Sequence, residues 1–143
     1  MRVILDVNVW ISALLWGGTP AQMLRLAREQ KILIFVSEPL LLEIETTLKR
    51  DKFQQRLQQR GRTVEYLMQV VRELSQLCPT TTVTVSELRD PKDSYILAAA
   101  SVANAEAIVT GDLDLLILNQ FEGIAILKAR DFLSNYFPRS LKD

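Results

Sequence analysis

Arg2-Val3-Ile4-Leu5-Asp6-Val7-Asn8 is the stretch on which the fold of this chain turns. Val3, Ile4 and Leu5 form an unbroken apolar run of the kind found in strands covered on both faces. The run stops at Asp6, a carboxylate that a central strand has no reason to bury unpaired. Asn8 to Leu15 then reads as helix. A buried strand, an acid at its carboxyl end and a helix behind it make the opening of a βα unit.

Working outward, the same alternation repeats. Gly17-Gly18-Thr19-Pro20 breaks the first helix, and Thr19 as N-cap with Pro20 at the first helical position opens a second, to about Glu29. Residues 32–36 are an apolar strand, and Ser37-Glu38-Pro39 caps a helix reaching about Arg50. Residues 51–60 extend as a short polar helix. Thr63 starts another, with Val64, Leu67, Val70, Val71 and Leu74 on its apolar face, which Pro79 is expected to end. The β-branched run Thr80–Val85 reads as a third strand. After Asp90-Pro91 a buried helix spans about Asp93 to Ala103, followed by strand 107–109, a short helix at 113–118, strand 124–127 and a helix from Ala129 to Tyr136. The expected fold is α/β: a three-layer sandwich with a central, mainly parallel sheet of four to five strands, helices on both faces, and one domain over residues 1–143.

Composition narrows the chemistry. Histidine is absent, so hydrolysis has to run without imidazole. Cys78 is the single cysteine, which excludes a disulfide framework, disfavours zinc and suits a reducing cytoplasm. No apolar stretch approaches the ~20 residues of a membrane span, so no membrane partner is expected. Lys/Arg and Asp/Glu balance at 17 each, which argues against indiscriminate polyanion binding, but the charge is uneven. Between Lys49 and Arg62 six basic residues face one acid.

The acids carry the chemistry. Asp6, Asp93 and Asp112 stand where strands give way to helices, and the helix after the second strand contributes Glu43 or Glu45. Both glutamates sit on shoulders of the stripe Leu40, Leu41, Ile44 and Leu48, so periodicity leaves that choice open. In a parallel sheet all these positions belong to the carboxyl edge, where ligands bind. Two carboxylates ~4 Å apart repel by roughly 1 kcal/mol in water and about 4 kcal/mol at an effective dielectric near 20. Lys92 could neutralise one of them, not the set. Oxygen-only donors suit Mg²⁺ or Mn²⁺, and metal-assisted phosphodiester hydrolysis is the chemistry such a cup supports. Each acid also has a plain structural use as an N-cap or turn residue.

In their order, these motifs resemble those of the PIN-domain ribonucleases, especially the VapC-like toxins of toxin–antitoxin pairs. Val3-Ile4-Leu5-Asp6-Val7-Asn8-Val9 is similar to the family's first metal-ligand strand, and Ser37-Glu38-Pro39-Leu40-Leu41-Leu42-Glu43-Ile44 to its second acidic motif. Asp93-Ser94-Tyr95-Ile96-Leu97-Ala98-Ala99-Ala100 resembles the third, and Thr110-Gly111-Asp112-Leu113-Asp114-Leu115 the fourth. That register selects Glu43 over Glu45. The resemblance implies a PIN-like sandwich, a catalytic and metal-binding set of Asp6, Glu43, Asp93 and Asp112, and Mg²⁺ or Mn²⁺ as cofactor. It also implies Asp114 as an outer or alternative ligand, with Asn8 and Thr110 orienting water, ligand or phosphate. The chain departs from the pattern at Val7, where many relatives carry Thr or Ser, and at Ser94, where some carry a further acid.

The function so implied is a metal-dependent endoribonuclease, the toxin of a pair, with RNA as substrate and a small antitoxin and a second copy of the chain as partners. Lys49, Arg50, Lys52 and Arg56 are candidates for a rim that steers RNA phosphates. Trp10 and Trp16 are core or interface residues. A PIN-like module that binds RNA or protein without cutting is the alternative, and four mutually repelling acids speak against it. A phosphoryl-accepting receiver would need paired acids near the first strand, and a phosphatase would need Asp-x-Asp where Asp6-Val7-Asn8 stands.

Overall fold

A computed structural model of the chain describes residues 1–81 and 93–141, with Asp93 represented by its backbone. Lys92, the Asp90-Pro91 loop and most of the strand expected at Thr80–Val85 lie outside the described residues. Six strands are described: β1 (Arg2–Leu5), β2 (Leu33–Val36), β3 (Ser75–Leu77), β4 (Ala107–Val109), β5 (Gln120–Phe121) and β6 (Ile124–Leu127). They form one sheet in the order β3-β2-β1-β4-β6-β5, parallel throughout except for the β5–β6 pair. The helices are α1 (Val7–Leu15), α2 (Gly18–Arg28), α3 (Glu38–Leu48), α4 (Gln54–Arg60), α5 (Val64–Leu74), α6 (Asp93–Val102), α7 (Leu113–Leu116) and α8 (Ala129–Tyr136).

Strand order follows from where the apolar runs can be buried. Val3, Ile4 and Leu5 are fully buried at the centre of the sheet, with Ile108 and Val109 of β4 on one side and Ile34 and Val36 of β2 on the other. The connections β1–β2 and β2–β3 step one way across the sheet, and those from β3 to β4 and β4 to β6 step the other way. With right-handed crossovers, the two sets of helices cover opposite faces. The direction reverses at β1, so the crevice beyond the carboxyl ends of β1 and β4 is the topological switch point, where open α/β sheets take their ligands.

Caps agree with the sequence in some places and not in others. Ser37 caps α3 by accepting from the Leu40 amide at 3.4 Å, and Thr63 caps α5 through the Tyr66 amide at 3.1 Å. The expected Thr19 cap is not formed. α2 begins at Gly18 after Gly17, and the positive φ of both glycines (80° and 67°) turns the chain without a side-chain cap. Pro20 then falls in the first turn, where a missing N–H costs nothing.

The third strand also differs from expectation. α5 stops at Leu74, five residues before Pro79, and β3 follows immediately at Ser75–Leu77. Its residues align with Ile34–Val36, and the Cys78 amide extends the ladder to the Val36 carbonyl at 2.8 Å. Pairing with the apolar edge of β2 outweighs the weak strand propensity of Ser-Gln-Leu. Thr80 and Thr81 form no strand. A sixth strand arises from a tight β5–β6 hairpin. Its loop residues Glu122 and Gly123 both have positive φ (51° and 80°), as a two-residue primed turn requires. Trp10 is fully buried on α1 with its Nε1 unpartnered among the described residues, and Trp16 at the end of α1 is half exposed.

Candidate functional site

The site begins where β1 and β4 end. Asp6 donates its amide to the Val109 carbonyl at 3.0 Å, and the Thr110 amide donates to the Leu127 carbonyl at 2.9 Å, so both residues are held in the ladder at adjacent strand ends. Asp6 is buried, 7% exposed, and its carboxylate caps α1: Oδ1 accepts from the Asn8 backbone amide at 3.3 Å. Oδ2 accepts from the Thr110 hydroxyl at 2.5 Å, at the short end of charge-assisted O–H···O contacts. The Thr110 oxygen in turn accepts from the Asp112 amide at 2.9 Å. With that acceptor role filled by an N–H, the hydroxyl proton is directed to Asp6. One side chain thus fixes two acids.

Asp112 caps α7, its Oδ1 accepting from the Asp114 amide at 2.9 Å. Asp6, Glu43 and Asp112 line one cavity of about 180 Å³, together with Val7, Asn8, Leu40, Thr47, Arg50, Tyr95 and Ile96. Glu43 stands on α3, whose N-terminus Ser37 caps. Tyr95 and Ile96 belong to the first turn of α6, which Asp93 opens; the Asp93 side chain lies outside the described atoms. Asp114 is not among the residues lining the cavity.

The sequence missed Thr47, Tyr95 and Ile96. Thr47 had a usable signal: it stands four residues after Glu43 and so shares its helix face. It is one of four buried polar residues among those described, with Asp6, Ser37 and Thr110. Asn8 lines the cavity, and its amide holds Asp6.

Electrostatics set the site apart from an ordinary turn. Burial pushes the Asp6 carboxyl above its usual range, the Thr110 hydroxyl and the Asn8 amide pull it back, and the charge of Asp112 adds to the rise. Among the described residues neither Asp6 nor Asp112 has an ion-pair partner. Two acids are therefore brought together with hydrogen-bond donors but, among the described residues, without an ion-paired cation. No three acids among the described residues close around one point tightly enough to hold an ion. The donors lining the cavity are carboxylate, hydroxyl and amide oxygens, and this set fits a hard divalent cation.

Thr110→Val is isosteric and removes the hydroxyl that serves both acids. With Asp6 holding a divalent ion, the substitution would lower turnover by about 10- to 100-fold, the usual loss when an outer partner of a metal ligand is removed. Titrating activity against added divalent ion checks it: the half-maximal concentration should rise, and an unchanged curve would refute the orienting role.

Of the four basic residues expected on a rim, only Arg50 lines the cavity. Lys49 pairs with Glu45 at 3.7 Å on the surface of α3. Lys52 lies over the Phe53 ring, 5.1 Å from its centroid. Arg56 lies by the end of α1, donating Nε to the Leu15 carbonyl at 2.7 Å. Among the described residues no helix is long and apolar enough to cross a membrane.

Comparison with known proteins agrees with this fold. An uncharacterized protein of Methanocaldococcus jannaschii is 32% identical over 119 residues, covering 82% of this chain and 75% of that protein. The crystal structure of VapBC2 from Rickettsia felis, bound to a DNA fragment from its promoter, superposes with a TM-score of 0.60 at 14% identity. That match covers 88% of this chain and 97% of the other, and it shows a shared fold. The family model for the PIN domain matches residues 2–114. The chain belongs to the PIN domain family, whose members are generally nucleases.

Proposed function

We propose that this protein is a metal-dependent endoribonuclease and acts as the toxin of a toxin–antitoxin pair. The observation that carries the reading is the buried Asp6 carboxylate, tied through Thr110 to Asp112 at the switch point and sharing a cavity with Glu43. Asp6, Glu43 and Asp112, with Asp93 at the start of α6, would hold Mg²⁺ or Mn²⁺. Bound there, the ion supplies an activated water and stabilises the charge that develops on a phosphodiester. Thr110 and the Asn8 amide keep the Asp6 oxygens oriented, and Arg50 at the cavity wall meets a phosphate. An antitoxin partner, supported by the fold shared with VapBC2, belongs to the same reading, and so does a homodimer.

Purified protein should cleave single-stranded RNA with Mg²⁺ or Mn²⁺, stop with EDTA and resume when the ion is restored. RNA left intact at every ion concentration would overturn the nuclease reading. Expression should arrest growth, and co-expression of a small neighbouring gene should relieve it. Unimpeded growth with active enzyme would overturn the toxin role alone.

A further inference from the structure

The basic segment after α3 is built around aromatic rings. Trp16 remains 50% exposed, which is unusual for so large an apolar ring at a helix terminus. Phe53 packs edge-on against it with centroids 5.7 Å apart. The Arg56 guanidinium lies 5.5 Å from the Trp16 centroid and Lys52 Nζ 5.1 Å from that of Phe53. The hydrogen bond from Arg56 Nε to the Leu15 carbonyl pins the guanidinium beside the indole and leaves its Nη groups to bind elsewhere. Lys52, Phe53, Trp16 and Arg56 thus form a continuous ladder, two packed rings with a cation on each.

The ladder starts at the cavity. Arg50 lines the cavity and also begins the single 3₁₀ turn Asp51–Phe53, so Phe53 is only about 6 Å further along that turn at ~2 Å per residue. Trp16 ends the helix that Asp6 caps, about 15 Å away at ~1.5 Å per residue. Rings that take base faces, interleaved with cations that track a backbone, are the chemistry of sequence-tolerant single-strand binding. Six basic residues to one acid between Lys49 and Arg62 supply the matching charge in a chain that is neutral overall.

We propose that this ladder is the landing track for single-stranded RNA: a base stacks on Trp16, and Lys52, Arg56 and Arg50 carry the backbone into the cavity. The track deepens the nuclease reading and rests on it for the choice of RNA. Trp16 is here a binding residue, remote from the bond that is cut.

The chain has two tryptophans and Trp10 is fully buried, so fluorescence quenched by ligand reports on Trp16. Binding of a short RNA, measured in EDTA so that nothing is cut, should quench the wild type. Trp16→Leu, which keeps an apolar group against Phe53, should weaken that binding, read for every variant as the anisotropy of a labelled RNA, by roughly 5- to 150-fold, the range for one lost base stack, and Trp16→Phe should largely restore it. An abasic oligonucleotide of equal length should bind wild type and Trp16→Leu alike. Cleavage should show a raised KM at unchanged kcat. Equal RNA binding by wild type and Trp16→Leu overturns the track. So does a Trp16→Leu chain that binds RNA normally but no longer self-associates or captures a protein partner, since the patch is then a protein interface. Quenching by RNA without any cleavage would uphold the track and sink the nuclease, whereas cleavage indifferent to Trp16 would do the reverse.

Discussion

Asp6→Asn is expected to abolish metal-dependent RNA cleavage and yet give a metal-free protein that melts at a higher temperature than the wild type. The activity loss should exceed ~100-fold, because removing an outer partner of a ligand already costs 10- to 100-fold. The fold should survive. Asparagine keeps an oxygen to accept from the Asn8 amide, so the cap of α1 is retained, and its amide can donate to the Thr110 oxygen once the hydroxyl rotates. What disappears is a buried charge beside Asp112 that no Lys or Arg among the described residues offsets. Active sites commonly hold such destabilising groups, and neutralising them trades function for stability. Cleavage of labelled RNA and melting in EDTA test both halves. Wild-type cleavage by the variant, or a lower melting temperature, would refute the assignment of Asp6.

The same carboxylate gives this stability gap a pH dependence of defined sign. Its folded pKa lies above the ordinary 3.8, chiefly through burial. Between those two values the folded chain binds more protons than the unfolded one, so stability falls as pH rises through that window. Above the folded pKa the penalty is fully present; below 3.8 it vanishes. Metal-free wild type and Asp6→Asn should therefore melt alike in acid and diverge as pH rises, and Mg²⁺ should narrow the gap by stabilising the wild type alone.

Much of this was legible in the chain. β1, β4, β6, α3 and α8 were readable because each is an apolar run or stripe bounded by a strong stop, such as the Ser37 cap or the Thr110-Gly111 turn. β3 was not, because Ser75-Gln76-Leu77 follows α5 with no breaker between them and owes its conformation to β2 alone. The β5–β6 hairpin was hidden for a similar reason: Glu122 holds a left-handed conformation that Asn or Asp would have advertised. At the site, topology alone brought Asp6 and Asp112 to adjacent strand ends. Thr110's double role was beyond reach from sequence, since it depends on which way one hydroxyl points. The packing of the basic segment was equally hidden: Lys49 and Arg56 have local partners, Glu45 and the Leu15 carbonyl, that only the fold reveals.

Glu43 and Glu45 provide the second large effect, and a contrast that charge alone cannot explain. They lie two residues apart on α3 and differ in what surrounds them. Glu43 lines the cavity with Leu40 and Thr47, three residues before it and four after, which puts all three on one face. Glu45 faces away and pairs with Lys49 at 3.7 Å. Glu43→Gln should lower cleavage by more than ~100-fold and raise the Mg²⁺ concentration needed for half-maximal activity. Glu45→Gln removes an exposed i,i+4 pair worth about 0.3–0.5 kcal/mol and should leave cleavage within roughly twofold. Both substitutions remove one negative charge from the same helix, so any effect of net charge on RNA affinity is shared and cancels in the comparison. Parallel assays of the two variants across a divalent-ion titration decide the matter. Equal losses would mean that the acids act through the overall field of α3, and a loss confined to Glu45→Gln would move the second acidic position by two residues.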